Sequence, residues 1–233
     1  MTASQQSPRA ADAWVVVPAF NESAAIGGTL ADLRRFFSSI VVVDDCSADD
    51  TAEIAARAGA HVCRHPVNLG QGAALQTGID YALARGAEIV ITFDADGQHR
   101  PEDALAMAEA LTRGAADVVL SSRFLGDAPG MPALKRLVLV LAVAFTRLTT
   151  GLAVTDTHNG LRAFSRPAAT AFRIRQNRMA HASEILAEIA RLRLRWIELP
   201  AVVRYTDYSI AKGQRLVGAT EILKDLLIRK LRS

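Results

Sequence analysis

Residues 92–101, TFDADGQHRP, place two carboxylates at spacing i, i+2 directly after the apolar run EIVITF. Unpaired charges are costly at the end of a buried strand, so Asp94 and Asp96 must either lie in a solvated turn or meet a positive charge. Together with Gln98 they offer the hard oxygen ligands that Mg²⁺ and Mn²⁺ prefer. A metal held there could bridge the two phosphates of a nucleotide diphosphate. The alternative is an ordinary Asp and Gly turn ahead of a helix.

The elements that would position these carboxylates alternate regularly over the first 125 residues. Short apolar runs such as SIVVVDD are typical of parallel strands buried on both faces, and segments with helical apolar spacing lie between them. This alternation predicts an α/β fold with a mostly parallel sheet flanked by helices. Ser23 is expected to cap the first helix. The predicted strands are residues 14–19, 39–45, 61–65, 88–93, 117–122, 161–165 and about 195–203, and the predicted helices are about 26–37, 51–58, 71–85, a segment that opens at 101, 131–150, about 181–193 and about 215–232.

The length of 233 residues suits one compact domain with small appendages. We expect a disordered tail over residues 1–12, a main domain over 13–212 and a basic C-terminal helix over 213–233. Two cysteines, Cys46 and Cys63, are too few for a disulfide framework and indicate reduced thiols. The sequence shows no secretory signal, and no apolar stretch approaches the roughly 20 residues that a membrane span needs.

Charge is distributed unevenly along the chain. Residues 1–130 contain 9 Lys and Arg against 17 Asp and Glu, whereas residues 131–233 contain 18 against 7. The acidic part suits cations, and the basic part suits phosphates, an anionic membrane surface or nucleic acid. An aromatic content of 6% argues against nucleic acid, because single strands are usually held on stacked aromatic side chains.

Polar residues cluster where the predicted strands end, which is where ligands bind in a parallel sheet. The first strand ends in PAFNE, the second in DDCSADDT, the fourth in DADGQ and the fifth in SSRF. The segment NLGQGAA opens a helix, and Gly70 and Gly72 would let a phosphate approach the backbone closely there. Glycines that merely form a tight turn would give the same pattern.

Together, these segments resemble family 2 glycosyltransferases of the GT-A fold, in the branch that contains dolichol-phosphate mannose synthase and bacterial polyprenyl-phosphate glycosyltransferases. The resemblance covers residues 14–166 and rests on VVVPAFNE, VVVDDCSADDT, NLGQGAALQTGI, TFDADGQH, SSRF and TDTHNGLRAFSR, in that order. It implies that residues 13–212 are a GT-A domain with a nucleotide-sugar donor and a divalent metal, Mg²⁺ or Mn²⁺. It also implies inversion at the anomeric carbon and a polyprenyl-phosphate acceptor.

The resemblance assigns roles to single residues. Asp96, Arg123 and Asp156 would be the catalytic residues. The donor would be bound by the nucleoside-pocket residues Pro18, Phe20, Glu22 and Asp45, by Gly70, by Asp94, and by Asn159 and Arg162 in the loop over the sugar and diphosphate. The metal would be held by Asp94, Asp96 and Gln98, and the acceptor phosphate by Arg123, Lys135 and Arg136.

The expected mechanism needs little acid–base chemistry. A phosphate-monoester oxygen is already anionic near neutral pH, so catalysis reduces to positioning and charge stabilisation. A plain hydroxyl acceptor would need a base, and Asp156 is the candidate. Two alternatives therefore stay open: a family 2 transferase with a sugar-hydroxyl or small soluble acceptor, and a catalytically degenerate nucleotide-sugar-binding protein.

Residues 131–150 carry three cations and no acid, and Leu137–Phe145 is apolar at every position. The helix over 132–149 is either a core helix with cations that reach the surface or an interfacial helix lying on a membrane. We favour the interfacial helix because the C-terminal segment KDLLIRKLRS is also basic. The sequence thus predicts a cytoplasmic enzyme that is peripheral at the cytosolic face of the inner membrane and has no nucleic-acid partner. It does not determine the oligomeric state.

Overall fold

The computed structural model describes residues 13–177 and 180–205. They form a seven-stranded sheet in the order β3-β2-β1-β4-β6-β5-β7, so the predicted mostly parallel α/β sheet is confirmed. The expected tail over 1–12 and the expected helix over 213–233 lie outside the described residues. The strands are β1 (Ala13–Ala19), β2 (Ser39–Asp44), β3 (His61–Arg64), β4 (Ile89–Thr92), β5 (Val118–Asp127), β6 (Arg162–Ser165) and β7 (Trp196–Val202).

Helices pack on both faces of this sheet. The short helix α6 was not predicted. The prediction that Ser23 caps the first helix is wrong, because α1 follows Ala25 and has no side-chain cap. Ser23 instead donates its backbone N–H to Asp49 Oδ2 at 3.1 Å. The helices are α1 (Ile26–Leu33), α2 (Thr51–Arg57), α3 (Gln71–Ala84), α4 (Pro101–Thr112), α5 (Ala133–Thr150), α6 (Arg166–Ala171) and α7 (His181–Arg191).

Strand β6 runs against its neighbours in the sheet. It lies between β4 and β5 and pairs antiparallel with both, with Arg162 opposite Thr92 of β4 and Leu120 of β5. Because β6 is reversed, its first residue lies near the edge where its two neighbours end. The polar loop 155–160, which precedes β6, is thereby brought to the edge that carries DADGQ and SSRF.

The hydrophobic core lies on both faces of the sheet. Val15 and Val17 pack on the side of α1 and α4, while Val16 packs on the opposite side with Leu75 and Ile79 of α3. All three valines are fully buried, which is the reason for the uninterrupted apolar runs of the central strands. Because both faces of the central strands are packed, the positions of the strand ends are fixed.

Helix α5 buries only one of its faces. Leu139, Ala142, Val143 and Thr146 are buried. The opposite face is a stripe of large apolar side chains at helical spacing: Leu134 is 69% exposed, Leu137 56%, Val140 49%, Leu141 61% and Leu148 87%. In the part of the chain that the structure describes, no helix is both long and apolar enough to span a membrane.

Candidate functional site

The loops after β1 and β2 are tied together by hydrogen bonds. Asn21 donates its N–H to Ser47 Oγ at 2.9 Å, and its Oδ1 accepts the N–H of Ala48 at 2.9 Å. Glu22 donates its N–H to Thr51 Oγ1 at 2.8 Å. These bonds hold the segments PAFNE and DDCSADDT side by side at one edge of the sheet.

Three residues predicted for the nucleoside pocket lie at this edge. Pro18 is buried inside β1 and pairs with Val43. Phe20 follows the strand and is 43% exposed, whereas Glu22 is 8% exposed. An exposed aromatic ring at the carboxyl end of a central strand offers a flat apolar surface on which a base can stack.

Asp45, the fourth predicted pocket residue, is buried and engaged inside the protein. Its Oδ1 lies 2.7 Å from His65 Nδ1 and accepts the N–H of Leu69 at 2.9 Å, while Oδ2 accepts the N–H of Gly70 at 2.7 Å. His65 Nε2 lies 3.0 Å from Thr77 Oγ1 on α3. Asp45 therefore fixes the loop between β3 and α3, and any contact with a nucleoside would come in addition to these bonds.

The N-terminus of α3 has two of its backbone donors occupied by protein acceptors. Gly70, at φ 97°, donates to Asp45, and Gly72 donates to the carbonyl of Asn177 at 2.8 Å. A Cβ on Gly72 would lie 2.0 Å from the carbonyl oxygen of Gln176, so the chain there packs directly on the turn. These glycines serve a tight turn, and a phosphate at Gly70 would have to displace the Asp45 carboxylate.

Asp94, at the end of β4, is held by three segments. Gln71 at the start of α3 donates through Nε2 to Oδ1 at 3.2 Å, and His99 Nε2 lies 3.1 Å from Oδ2. Gly160 lies so close that a Cβ there would be 2.1 Å from Oδ2. The DADGQ segment, α3 and the loop 155–160 therefore converge on this carboxylate.

The surroundings move the pKa values of the two carboxylates in opposite directions. Burial would raise the pKa of Asp94, but the hydrogen bond and charge of His99, with the charge of Arg162, lower it below its usual value. Burial and the neighbouring charge of Asp94 raise the pKa of Asp96 to about 6, although the N–H of Gln98 partly offsets them. Asp96 thus carries a negative charge that nearby groups leave under-compensated.

The donor set at the end of β4 fits a divalent cation. Gln98 is fixed by its backbone, which donates to Asp96 Oδ1 at 3.0 Å and accepts the N–H of Arg204 at 3.0 Å. Across residues 13–177 and 180–205, no three or more His, Cys, Asp or Glu side chains are grouped to hold a metal. An ion bound through one or two carboxylates, completed by phosphate and water, needs no larger cluster. A cation beside Asp96 would offset the repulsion that raises its pKa.

Arg123 and Asp156 form a buried ion pair. Arg123 Nε donates to Asp156 Oδ2 at 2.6 Å, and the two side chains are 5% and 0% exposed. Nη1 donates to the hydroxyl of Tyr205 at 2.8 Å and Nη2 to the carbonyl of His158 at 2.5 Å. Burial would lower the pKa of Arg123, but the Asp156 carboxylate raises it above its usual value. Two residues that were both predicted to be catalytic therefore contact each other directly.

The loop 155–160 and the start of β6 bring three more polar side chains to the site. Arg162 is 4% exposed; burial lowers its pKa to about 10, against the attraction of Asp94. Burial also lowers the pKa of His158 to about 4, so this ring is neutral at pH 7. Asn159 Nδ2 is buried without a hydrogen-bond partner among the described residues. A buried donor of this kind is one that a bound ligand can satisfy.

The two cations predicted on α5 differ in placement. The ammonium of Lys135 lies over the ring of Tyr205, with Nζ 4.6 Å from the centroid. Burial and the charge of Arg123 lower the pKa of Lys135, whereas the charge of Asp96 raises it, so the ammonium is within electrostatic reach of both. Arg136 is exposed.

Similarity to known proteins decides the family. The family profile described as "Glycosyl transferase family 2" matches residues 14–171. The chain belongs to glycosyl transferase family 2. It is therefore a glycosyltransferase, as the sequence motifs predicted, and the degenerate binding protein is set aside.

Relatives extend this similarity over nearly the whole chain. The chain is 40% identical to an uncharacterised protein from Methanocaldococcus jannaschii, over 94% of this chain and 92% of that protein. It is 30% identical to the UDP-N-acetylglucosamine–dolichyl-phosphate N-acetylglucosaminyltransferase of Methanococcus voltae, over 94% and 96%. It is 32% identical to an undecaprenyl-phosphate mannosyltransferase from Micrococcus luteus, over 64% of each chain.

Solved structures confirm the fold. The glucosyl-3-phosphoglycerate synthase of Mycobacterium tuberculosis, in its complex with Mn²⁺ and UDP-glucose, aligns with a TM-score of 0.70 at 24% identity. The alignment covers 94% of this chain and 79% of that chain. The predicted GT-A type of α/β fold is thereby confirmed.

Sequence reasoning missed three residues of the site. Gln71 and Gly160 lie inside motifs that were recognised, NLGQGAA and TDTHNG, and their place beside glycine-rich turns was the available signal. Tyr205 lies in no recognised motif. Its contact with Arg123 spans 82 positions of sequence, and no local pattern predicts such a pairing.

Proposed function

We propose that this glycosyltransferase moves a sugar from a nucleotide diphosphate to a polyprenyl phosphate, with inversion at the anomeric carbon. The observation that carries the proposal is that two cations meet at one side chain: Lys135 Nζ lies 4.6 Å from the centroid of the Tyr205 ring, and Arg123 Nη1 donates to the Tyr205 hydroxyl at 2.8 Å. A metal-bound diphosphate at Asp96 and an anionic acceptor at the two cations would then lie side by side. The named relatives that transfer sugars to dolichyl and undecaprenyl phosphates support this reading.

The donor would lie along the edge formed by β1, β2 and β4. Phe20 would stack on the base, with Pro18, Glu22 and Asp45 forming the walls of the nucleoside pocket. Asp94, Asp96 and Gln98 would hold Mg²⁺ or Mn²⁺, which, when bound, stabilises charge on the departing diphosphate. A UDP-sugar is the donor class we favour, because UDP appears in the names of both a relative and a structural neighbour.

Residues of the loop 155–160 and β6 would close over the sugar. The buried amide of Asn159 would donate to a donor oxygen, and Arg162 would remain beside Asp94 as a fixed positive charge. The neutral ring of His158 would add a hydrogen-bonding group without adding charge. The protein thus supplies orientation and preset electrostatics, which are the main needs of this reaction.

A phosphate acceptor fits the state of Asp156. This carboxylate accepts hydrogen bonds from Arg123 and is 3% exposed, so it is not placed to take a proton from a hydroxyl. An anionic phosphate oxygen needs no such base. Arg123 and Lys135 would bind the phosphate and hold its oxygen in line with the anomeric carbon.

Helix α5 would meet the membrane that contains the acceptor. Its exposed leucine stripe, its three cations and its lack of acids suit an anionic lipid surface. An apolar groove of about 540 Å³ lies between Phe124 and the α5 residues Val140, Ala144 and Leu148. Since Phe124 follows Arg123, a prenyl chain in this groove could leave its phosphate near the cations.

Product extraction tests the proposal. The purified protein is incubated with undecaprenyl phosphate in detergent, with Mg²⁺ or Mn²⁺ and with radiolabelled UDP-sugars in turn. We expect label in the organic phase, and none when undecaprenol replaces its phosphate. Label that moves only into water-soluble products would defeat the lipid-phosphate acceptor and favour a soluble one.

A further inference from the structure

Tyr205, the last residue of the described chain, lies between the two cations of the site. Its hydroxyl accepts a hydrogen bond from Arg123 Nη1 at 2.8 Å, and its ring faces the ammonium of Lys135 at 4.6 Å from the centroid. Arg123 belongs to β5 and Lys135 to α5, so this side chain joins two elements that carry the proposed acceptor contacts.

The backbone around Tyr205 is itself fixed. Its N–H donates to the carbonyl of Pro129 at 3.3 Å, and a Cβ on Gly130 would lie 3.4 Å from Tyr205 Cβ. One residue earlier, the N–H of Arg204 donates to the carbonyl of Gln98 at 3.0 Å. The position of the ring is therefore tied to the DADGQ segment as well as to the loop before α5.

Two cations that converge on one point repel each other, and Asp156 contacts only one of them. The hydroxyl oxygen and the π face of a tyrosine both present negative potential. Tyr205 presents its hydroxyl oxygen to Arg123 and its ring face to Lys135. It therefore stabilises both cations without adding a negative charge. The remaining positive potential is left for a ligand.

We propose that Tyr205 is a positioning residue that sets Arg123 and Lys135 at the spacing at which both bind one phosphate group of the acceptor. This inference rests on the proposed function. It predicts that loss of Tyr205 weakens the use of the acceptor while leaving the use of the donor intact, a split that general destabilisation would not produce.

Steady-state kinetics of Tyr205→Phe and Tyr205→Leu test the inference, with a water-soluble short-chain isoprenyl phosphate as acceptor. Tyr205→Phe removes the bond to a charged group and should raise the acceptor KM about tenfold. Tyr205→Leu also removes the ring under the ammonium and should raise it about threefold further. The donor KM should stay within about twofold of the wild-type value.

Tyr81 provides a matched control on α3. Its hydroxyl lies 3.2 Å from His61 Nδ1 and its ring lies under Arg85 at 4.7 Å, a similar pair of contacts outside the site. Tyr81→Phe and Tyr81→Leu should leave both KM values unchanged. If Tyr205→Leu does not fold, Tyr205→Phe still decides the matter.

Three outcomes would overturn the inference: acceptor KM values of the Tyr205 variants no higher than those of the Tyr81 variants, an equal rise in donor KM, or a fall in kcat alone. A wild-type protein that uses no isoprenyl phosphate would instead contradict the proposed function. The two failures are therefore distinguishable.

Discussion

Asp156 Oδ2 lies 2.6 Å from Arg123 Nε, and both side chains are shielded from solvent. Neither residue therefore acts as an isolated charge: the carboxylate fixes the guanidinium, and the guanidinium and the backbone N–H of Arg123 both donate to the carboxylate. The pair links β5 to the loop 155–160, so the charges of these two segments compensate each other at the proposed acceptor site.

Breaking this pair from one side should be costly. Asp156→Leu leaves a buried guanidinium uncompensated and should lower the free energy of unfolding by about 3–5 kcal/mol. Adding Arg123→Met should recover at least half of that loss in urea unfolding, although activity stays absent. The exposed pair Arg195 and Asp117, at 2.9 Å, is the control, and breaking it should change the stability far less because solvent screens both charges. A double variant as unstable as the sum of its single variants would show that the two charges do not compensate each other.

Gly160→Ala should abolish most activity without unfolding the protein. The new methyl group would lie 2.1 Å from Asp94 Oδ2 and must push that carboxylate out of place. Displacements of about 1 Å at a reacting site can cost about a hundredfold, so we expect at least that loss in kcat/KM. In the control Gly28→Ala the methyl group meets nothing within 4 Å. It should keep full activity and gain up to about 1 kcal/mol of stability in α1.

Asp96→Asn tests the proposed metal site by binding rather than turnover. Calorimetry with UDP should show affinity that rises on addition of Mn²⁺ for the wild type and at least about tenfold less enhancement for the variant. The control is Asp80→Asn, which removes an exposed carboxylate that pairs with Arg173 at 3.5 Å. Enhancement by Mn²⁺ that survives in Asp96→Asn would place the ion elsewhere.

Mild acid should destabilise the protein partly through His158. Its pKa falls from 6.5 to about 4 on folding, so between these values the unfolded chain binds one proton more than the native protein. Above pH 6.5 the ring is neutral in both states and does not affect the free energy of unfolding. As the pH falls from 6.5 towards 4, the free energy of unfolding decreases by about 1.4 kcal/mol per pH unit. His158→Gln should flatten the pH dependence of urea unfolding in this window. An unchanged slope would show that the ring is not buried neutral.

The exposed stripe of α5 should govern binding to membranes. Leu137→Gln combined with Leu141→Gln removes two leucines that are 56% and 61% exposed, and should weaken sedimentation with anionic vesicles about tenfold or more. Val67→Gln changes a residue that is 56% exposed outside α5 and should leave binding unaltered. Equal binding by all variants would mean that α5 does not contact lipid.

The sequence was informative wherever a local pattern carried a physical meaning. The valine runs of β1 and β2 predicted strands buried on both faces, and the polar tips of those strands predicted the edge of the sheet at which the candidate site residues lie together. The residue types of DADGQ predicted a divalent-metal site at the end of β4, which stays a prediction. The strand predictions succeed because burial and strand direction leave a local signature.

Long-range pairings had no such signature. The reversed direction of β6, the bond between Arg123 and Tyr205 and the burial of Asp45 all depend on segments that are distant in sequence. The Ser23 cap failed for a related reason: the backbone there bonds to Asp49 in the next loop, and α1 begins three residues later. A tertiary hydrogen bond to Asp49 thus replaced the local helix cap that the sequence predicted for Ser23.

The bonds that Asp45 makes to His65, Leu69 and Gly70 have a kinetic consequence. Because Asp45, in a wall of the proposed nucleoside pocket, already has its partners, little chain remains to be ordered there if a donor binds as proposed. Association should then be limited by diffusion and charge steering rather than by loop rearrangement, and the entropy lost on binding should come mainly from the nucleotide itself.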